Sequence, residues 1–87
     1  MKERIKEIVR KAYEEEQISF SECNIVMSEE SYLVVITCTS YDYCHEKARA
    51  IIKIKKNLES ELLRMKNFKI LKNFIIMELF PFEYEGT

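Results

Sequence analysis

Glycine and proline are nearly absent from this chain, each occurring once, as Gly86 and Pro81. Loops that cradle phosphates need glycine where the backbone closes on the anion. Walker A, GxGxxG and GxxG patterns are therefore all missing, and nucleotide-dependent catalysis is not expected. Without a glycine-, proline- or serine-rich stretch there is no linker, so residues 1–87 read as one domain. Long apolar runs are lacking too. Leu33 to Ile36 and Phe74 to Met77 are the longest, far short of the roughly 20 residues of a membrane-spanning helix. Met1 leads into a charged amphipathic stretch, so no signal peptide is expected.

Chemistry-bearing residues are equally sparse. Cys23, Cys38 and Cys44 are an odd number without CxxC spacing. They read as reduced thiols acting as small hydrophobes in a cytoplasmic protein. Cys44-His45, with Asp42 two residues away, is the one local cluster that resembles a nucleophile site. Adjacent residues on a helix point about 100° apart, so that pair does not converge. Cys38, Cys44 and His45 likewise match no metal-ligand spacing. No catalytic residue, metal, cofactor or small-molecule substrate is expected, and the chain does not read as an enzyme.

What the chain does have is a charge split hidden by its net charge of −1. Between Ile18 and Glu46 lie five acids (Glu22, Glu29, Glu30, Asp42, Glu46) and no lysine or arginine. Between Lys47 and Lys72 lie nine basic residues against two acids, Glu59 and Glu61. Such segregation bears on partners, because one surface attracts what the other repels.

Periodicity supplies the elements. In residues 2–17, Ile5, Ile8, Val9, Ala12 and Tyr13 recur at helical spacing and predict one amphipathic helix ending in Glu14-Glu15-Glu16. Residues 21–28 alternate, with Cys23, Ile25 and Met27 on one side. Residues 32–39 are rich in β-branched side chains, and Ser28-Glu29-Glu30-Ser31 forms the hairpin turn between the two strands. Ser40 or Asp42 caps a second helix running to about Lys66, with Cys44, Ala48, Ile51, Leu58 and Leu62 as its central apolar stripe, Ile52, Ile54 and Met65 as its flanks and Asn67 as its left-handed stop. A last strand spans about Lys69 to Phe80, with Leu71, Ile75, Met77 and Leu79 on one face and Ile70, Phe74, Ile76 and Phe80 on the other. The expected fold is an α+β two-layer sandwich of order α-β-β-α-β, a three-stranded sheet with both helices on one face. Its other sheet face is left uncovered.

Two surfaces follow from this layout. Arg49, Lys53, Lys56 and Arg64 fall opposite the apolar stripe of the second helix and form a basic ridge suited to nucleic acid or an acidic protein. Lys47 and Lys55 lie inside the stripe as lysines whose stems cover apolar surface. On the open sheet face, Phe74, Ile76 and Phe80, with Phe82 and Tyr84 beyond Pro81, present aromatic and branched side chains across from either Tyr32, Val34 and Ile36 or Leu33 and Val35. Such a patch on a small domain marks an interface, and branched aliphatics among the rings favour a dry protein contact over base stacking.

The α-β-β-α-β order is similar to BolA-like proteins, type II KH-like domains and ring-building modules of secretion assemblies. Ser31 to Ile36 followed by Leu58-Glu59-Ser60-Glu61-Leu62 resembles the BolA-like pattern, without that family's Arg-His-Arg helix motif or loop glycine. The hairpin and second helix also resemble the dimerising subunit of the KEOPS tRNA-modification complex, if Met77 to Phe82 is moved to the front as a permutation. No functional residue is carried over from any of them. The sequence thus predicts a non-enzymatic module that self-associates or docks a protein through its open sheet face, with the basic ridge for an acidic partner. A nucleic-acid-binding accessory protein and a phage-type inhibitor are the alternatives.

Overall fold

The computed structural model describes residues 1–38, 44–71 and 73–82. Helix α1 (Lys2–Glu15) is followed by strands β1 (Glu22–Met27) and β2 (Tyr32–Thr37), helix α2 (Cys44–Ser60), and strands β3 (Leu63–Ile70) and β4 (Phe74–Pro81). The α+β class and the helix-hairpin-helix order are as the sequence predicts. The sheet, however, has four strands in the order β1-β2-β4-β3, antiparallel throughout. β2 and β3 both run antiparallel to β4, so α2 carries the chain between two parallel strands with β4 inserted between them. Placing β4 ahead of α1 would give the β-α-β-β-α-β order of split-βαβ folds.

α1 forms as its periodicity dictates, burying Ile5, Ile8, Val9, Ala12 and Tyr13. Its surface is laced by Arg4–Glu7 at 3.5 Å and Arg10–Glu14 at 2.7 Å. Termination falls to a residue other than glycine. Gln17 takes the left-handed conformation (φ 59°), donating its N–H to the Glu14 carbonyl, while Ile18 donates to Tyr13. Those two bonds are the Schellman pattern, normally closed by glycine. The predicted hairpin turn is present, with the Ser28 N–H donating to the Ser31 carbonyl at 2.9 Å and the two serine hydroxyls 2.8 Å apart. The expected caps Ser40 and Asp42 lie outside the described residues.

α2 ends at Ser60, six residues before Lys66. Leu62 turns the chain in the left-handed region (φ 62°), with Glu61 and Leu62 donating back to Leu58 and Glu59. The physical reason is β4: pairing residues 63–70 with it satisfies a row of backbone groups that a longer helix would leave open. Asn67 does adopt the left-handed conformation (φ 49°), but inside β3, at the register shift between Lys66 and Lys69. The expected strand from Lys69 to Phe80 is therefore two strands, with the Leu71 N–H donating to the Phe74 carbonyl where they meet.

The core forms between both helices and one sheet face. Ala50, Ile51, Ile54 and Leu58 of α2 meet the α1 stripe over Ile25, Val34, Ile36, Leu63, Ile75, Met77 and Leu79. Of the predicted stripe Ile51 and Leu58 are buried and Ala48 and Leu62 exposed; of its flanks Ile54 is fully buried and Ile52 exposed, and Ala50 joins the seam, which is thus rotated toward Ala50 and Ile54. No polar or charged residue is buried among the described residues. In β4, Ile75, Met77 and Leu79 point into this core, and the alternate residues Phe74, Ile76, Glu78 and Phe80 point away from it.

Candidate interaction surface

The face turned away from the helices can be read row by row from the strand register. Asn24, Val35, Ile76 and Lys69 form one row across β1, β2, β4 and β3. Val26, Leu33, Glu78 and Lys66 form the next, and Phe80 with Arg64 begins a third. At the opposite end, Glu22, Thr37 and Phe74 share a row. The register thereby selects Leu33 and Val35, rather than Tyr32, Val34 and Ile36, as the neighbours of Ile76. Val26, Leu33, Val35, Phe74, Ile76 and Phe80 make a contiguous apolar surface that no described element covers. Val26 is 58% exposed and Phe74 42%.

Charge on this face is sorted by edge. β3 supplies Arg64, Lys66 and Lys69, and the far edge supplies Glu22 on β1 with Glu29 and Glu30 in the adjoining turn. The Arg64 guanidinium sits 5.1 Å from the centroid of the Phe82 ring, and Lys66 Nζ lies 5.5 Å from that of Phe80. Glu78, in the middle of the face, lies opposite Lys66 and accepts a 2.7 Å hydrogen bond from the Asn67 side chain. Of the five residues predicted for this surface, Tyr84 lies outside the described residues, and the other four divide accordingly. Phe74, Ile76 and Phe80 lie on the open face, and Phe82 follows β4 beneath Arg64, its N–H donating to the Leu62 carbonyl.

The predicted basic ridge is not formed. Arg64 belongs to β3, not α2. Arg49 and Lys53 are engaged within the molecule by the acidic end of α1. Arg49 Nε donates to Glu16 Oε1 at 2.7 Å, Lys53 Nζ lies 2.6 Å from Glu16 Oε2, and Glu15 adds a contact at 3.5 Å. Glu16 is only 9% exposed at its side chain. The hydrogen bond from Lys53 and then that from Arg49 hold its carboxyl below the usual range, and Glu16 in return raises both cations. The like-charged run at the end of α1 is thus offset by α2, which a one-dimensional charge pattern could not reveal. Lys56 remains exposed on α2, Lys55 is exposed, and Lys47 is half-buried.

His45 is exposed, and no group of His, Cys, Asp and Glu with metal-binding placement occurs among the described residues. Cys38 is buried, its Sγ 3.8 Å from the Tyr13 hydroxyl. Burial, then Cys38, pushes the Tyr13 phenol far up, so it stays neutral. A cleft of about 490 Å³ between α1 and β1 is lined by residues including Lys6, Arg10, Glu22 and Cys23. Its charges alternate in sign, and burial raises the Cys23 thiol, with Lys6 opposing in part, which favours the protonated sulfur over the thiolate.

Sequence reasoning missed the β3 cations as a column. The signal was present in Leu63 and Met65 alternating with Arg64 and Lys66, a period of two that four residues cannot separate from a helix turn. Compared with known proteins, the chain matches no family model and no curated protein. Among the described residues, no helix is long and apolar enough to cross a membrane.

Proposed function

We propose that this protein is a non-enzymatic interaction module that docks protein, a further copy of itself first, through the open face of its sheet. The observation that carries the reading is the apolar surface of Val26, Leu33, Val35, Phe74, Ile76 and Phe80 on a face that no described element covers. A two-layer domain of this size has a thin core, and burying such a patch adds stabilisation at about 25 cal/mol per Å² of apolar area removed from water. The reading includes a cytoplasmic location, with Cys23 and Cys38 as reduced thiols.

Direct nucleic-acid binding is the second reading, favoured by the Arg64, Lys66 and Lys69 column beside Phe80. Three features weigh toward protein instead. Cations already lie over the Phe80 and Phe82 rings. Glu78 stands in the middle of the face. Branched aliphatics, not rings, fill its centre.

Size-exclusion chromatography with light scattering tests the proposal. The wild-type protein is expected to run as an oligomer and Ile76→Glu as a folded monomer, with Phe74→Glu acting in the same direction. A wild-type monomer at the highest soluble concentration refutes self-association. Co-purifying absorbance at 260 nm that is lost at high salt would move the assignment to nucleic acid.

A further inference from the structure

Resting on that reading, we propose that the occupant of the open face is a second copy of this chain, related by a two-fold axis parallel to the strands and midway between the two sheets. Closed dimers use one patch twice, so the symmetry operator decides which residues meet. Two sheets stacked face to face about 10 Å apart, with strands nearly aligned, allow two such axes in the plane between them. An axis perpendicular to the strands lays β1 on β1 and β3 on β3. That brings Arg64, Lys66 and Lys69 against the same three cations. An axis parallel to the strands exchanges the edges, and β1 of each copy lies over β3 of the other.

The charges on the face select the second arrangement. With the rows aligned, Ile76 of each copy packs on Val35 of the other, and Val26 lies along the aliphatic stem of Lys66. Glu22 stands one row from Lys69 of the second copy, and Glu29 and Glu30 in the β1–β2 turn approach Arg64. Each contact occurs twice by symmetry. Glu78, the acid this packing encloses, keeps its bond from Asn67 and its neighbour Lys66 in the same chain. The charge split along the sequence thereby becomes self-complementarity across a dimer: acidic hairpin edge against basic β3 edge.

A charge-swap pair tests this arrangement. Lys66→Glu/Lys69→Glu reverses the β3 edge, and Glu22→Lys/Asn24→Lys reverses the β1 edge; all four sites are exposed, and circular dichroism verifies that both variants fold. Each variant alone is expected to weaken the dimer by at least about tenfold in Kd, because like charges then face each other. An equimolar mixture is expected to restore a dimer that native mass spectrometry identifies as the heterodimer, since both of its edge contacts are again complementary. Raising salt should weaken the wild-type dimer. Reversed variants that dimerise as tightly as wild type, or a mixture that stays monomeric, overturn the arrangement. If those results accompany a wild-type dimer that Ile76→Glu abolishes, docking through the open face stands and only the symmetry fails. A wild-type monomer overturns both.

Discussion

Replacing Gln17 with glycine is expected to stabilise the protein by about 0.5–1 kcal/mol. Gln17 closes α1 with φ 59°, a conformation that costs a residue bearing Cβ about 1–2 kcal/mol. Glycine removes that cost and adds about 0.4–1 kcal/mol of unfolded-chain freedom, so the gain is the difference. No packing is lost, because the Gln17 side chain is exposed. At about 4–8 °C per kcal/mol for a domain of this length, the melting temperature should rise by about 2–8 °C. Gln17→Val is the opposite control, since a β-branched residue is strained most in this region. Both are read by thermal unfolding followed by circular dichroism. A fall in stability for the glycine variant, of the size expected for glycine inside a helix, would mean that α1 does not turn left-handed at Gln17. The Schellman geometry that sets Glu16 against α2 would then be wrong as well.

Other expectations follow from the same contacts. Glu16→Gln should flatten the acid limb of the stability profile. The Glu16 carboxyl is held below its ordinary value near 4.5, so its contribution is complete above that value and is lost as pH falls through the lower folded one. Melting temperatures between neutral and strongly acidic pH check this, and identical slopes for variant and wild type would refute it. Tyr13→Phe should change stability by less than about 1 kcal/mol, because the hydroxyl's one described partner is the Cys38 thiol at 3.8 Å. Tyr13→Ala should cost about 3–5 kcal/mol in chemical denaturation through the cavity it leaves. A large loss in Tyr13→Phe would show that the hydroxyl, not the ring, holds α1 to the end of β2.

Legibility differed by element for identifiable reasons. α1 was readable because five apolar residues repeat at helical spacing with no competing pattern. The hairpin was readable from alternation on both sides of four polar turn residues. α2 was misread at its end because Leu62, Leu63 and Met65 satisfy a helical stripe and a strand face alike. The open face was foreseeable from β4, whose two faces are both apolar. Its edge cations were not, because Lys69 joins Arg64 and Lys66 only through the register shift around Asn67.

The sequence by itself determined the α+β class and the helix-hairpin-helix order, since these depend on local period and composition. With glycine nearly absent, left-handed positions fall to other residues, Gln17 and Leu62 after the helices and Asn67 at the register shift in β3. Tertiary structure alone decided where charge points. Glu16 meets Arg49 and Lys53 because two helices pack side by side, and Arg64 leaves the helix because β4 needs a partner for its open edge. The strand order β1-β2-β4-β3 is a choice among non-local backbone pairings. It is what puts the acidic hairpin and the basic strand at opposite edges of one exposed face.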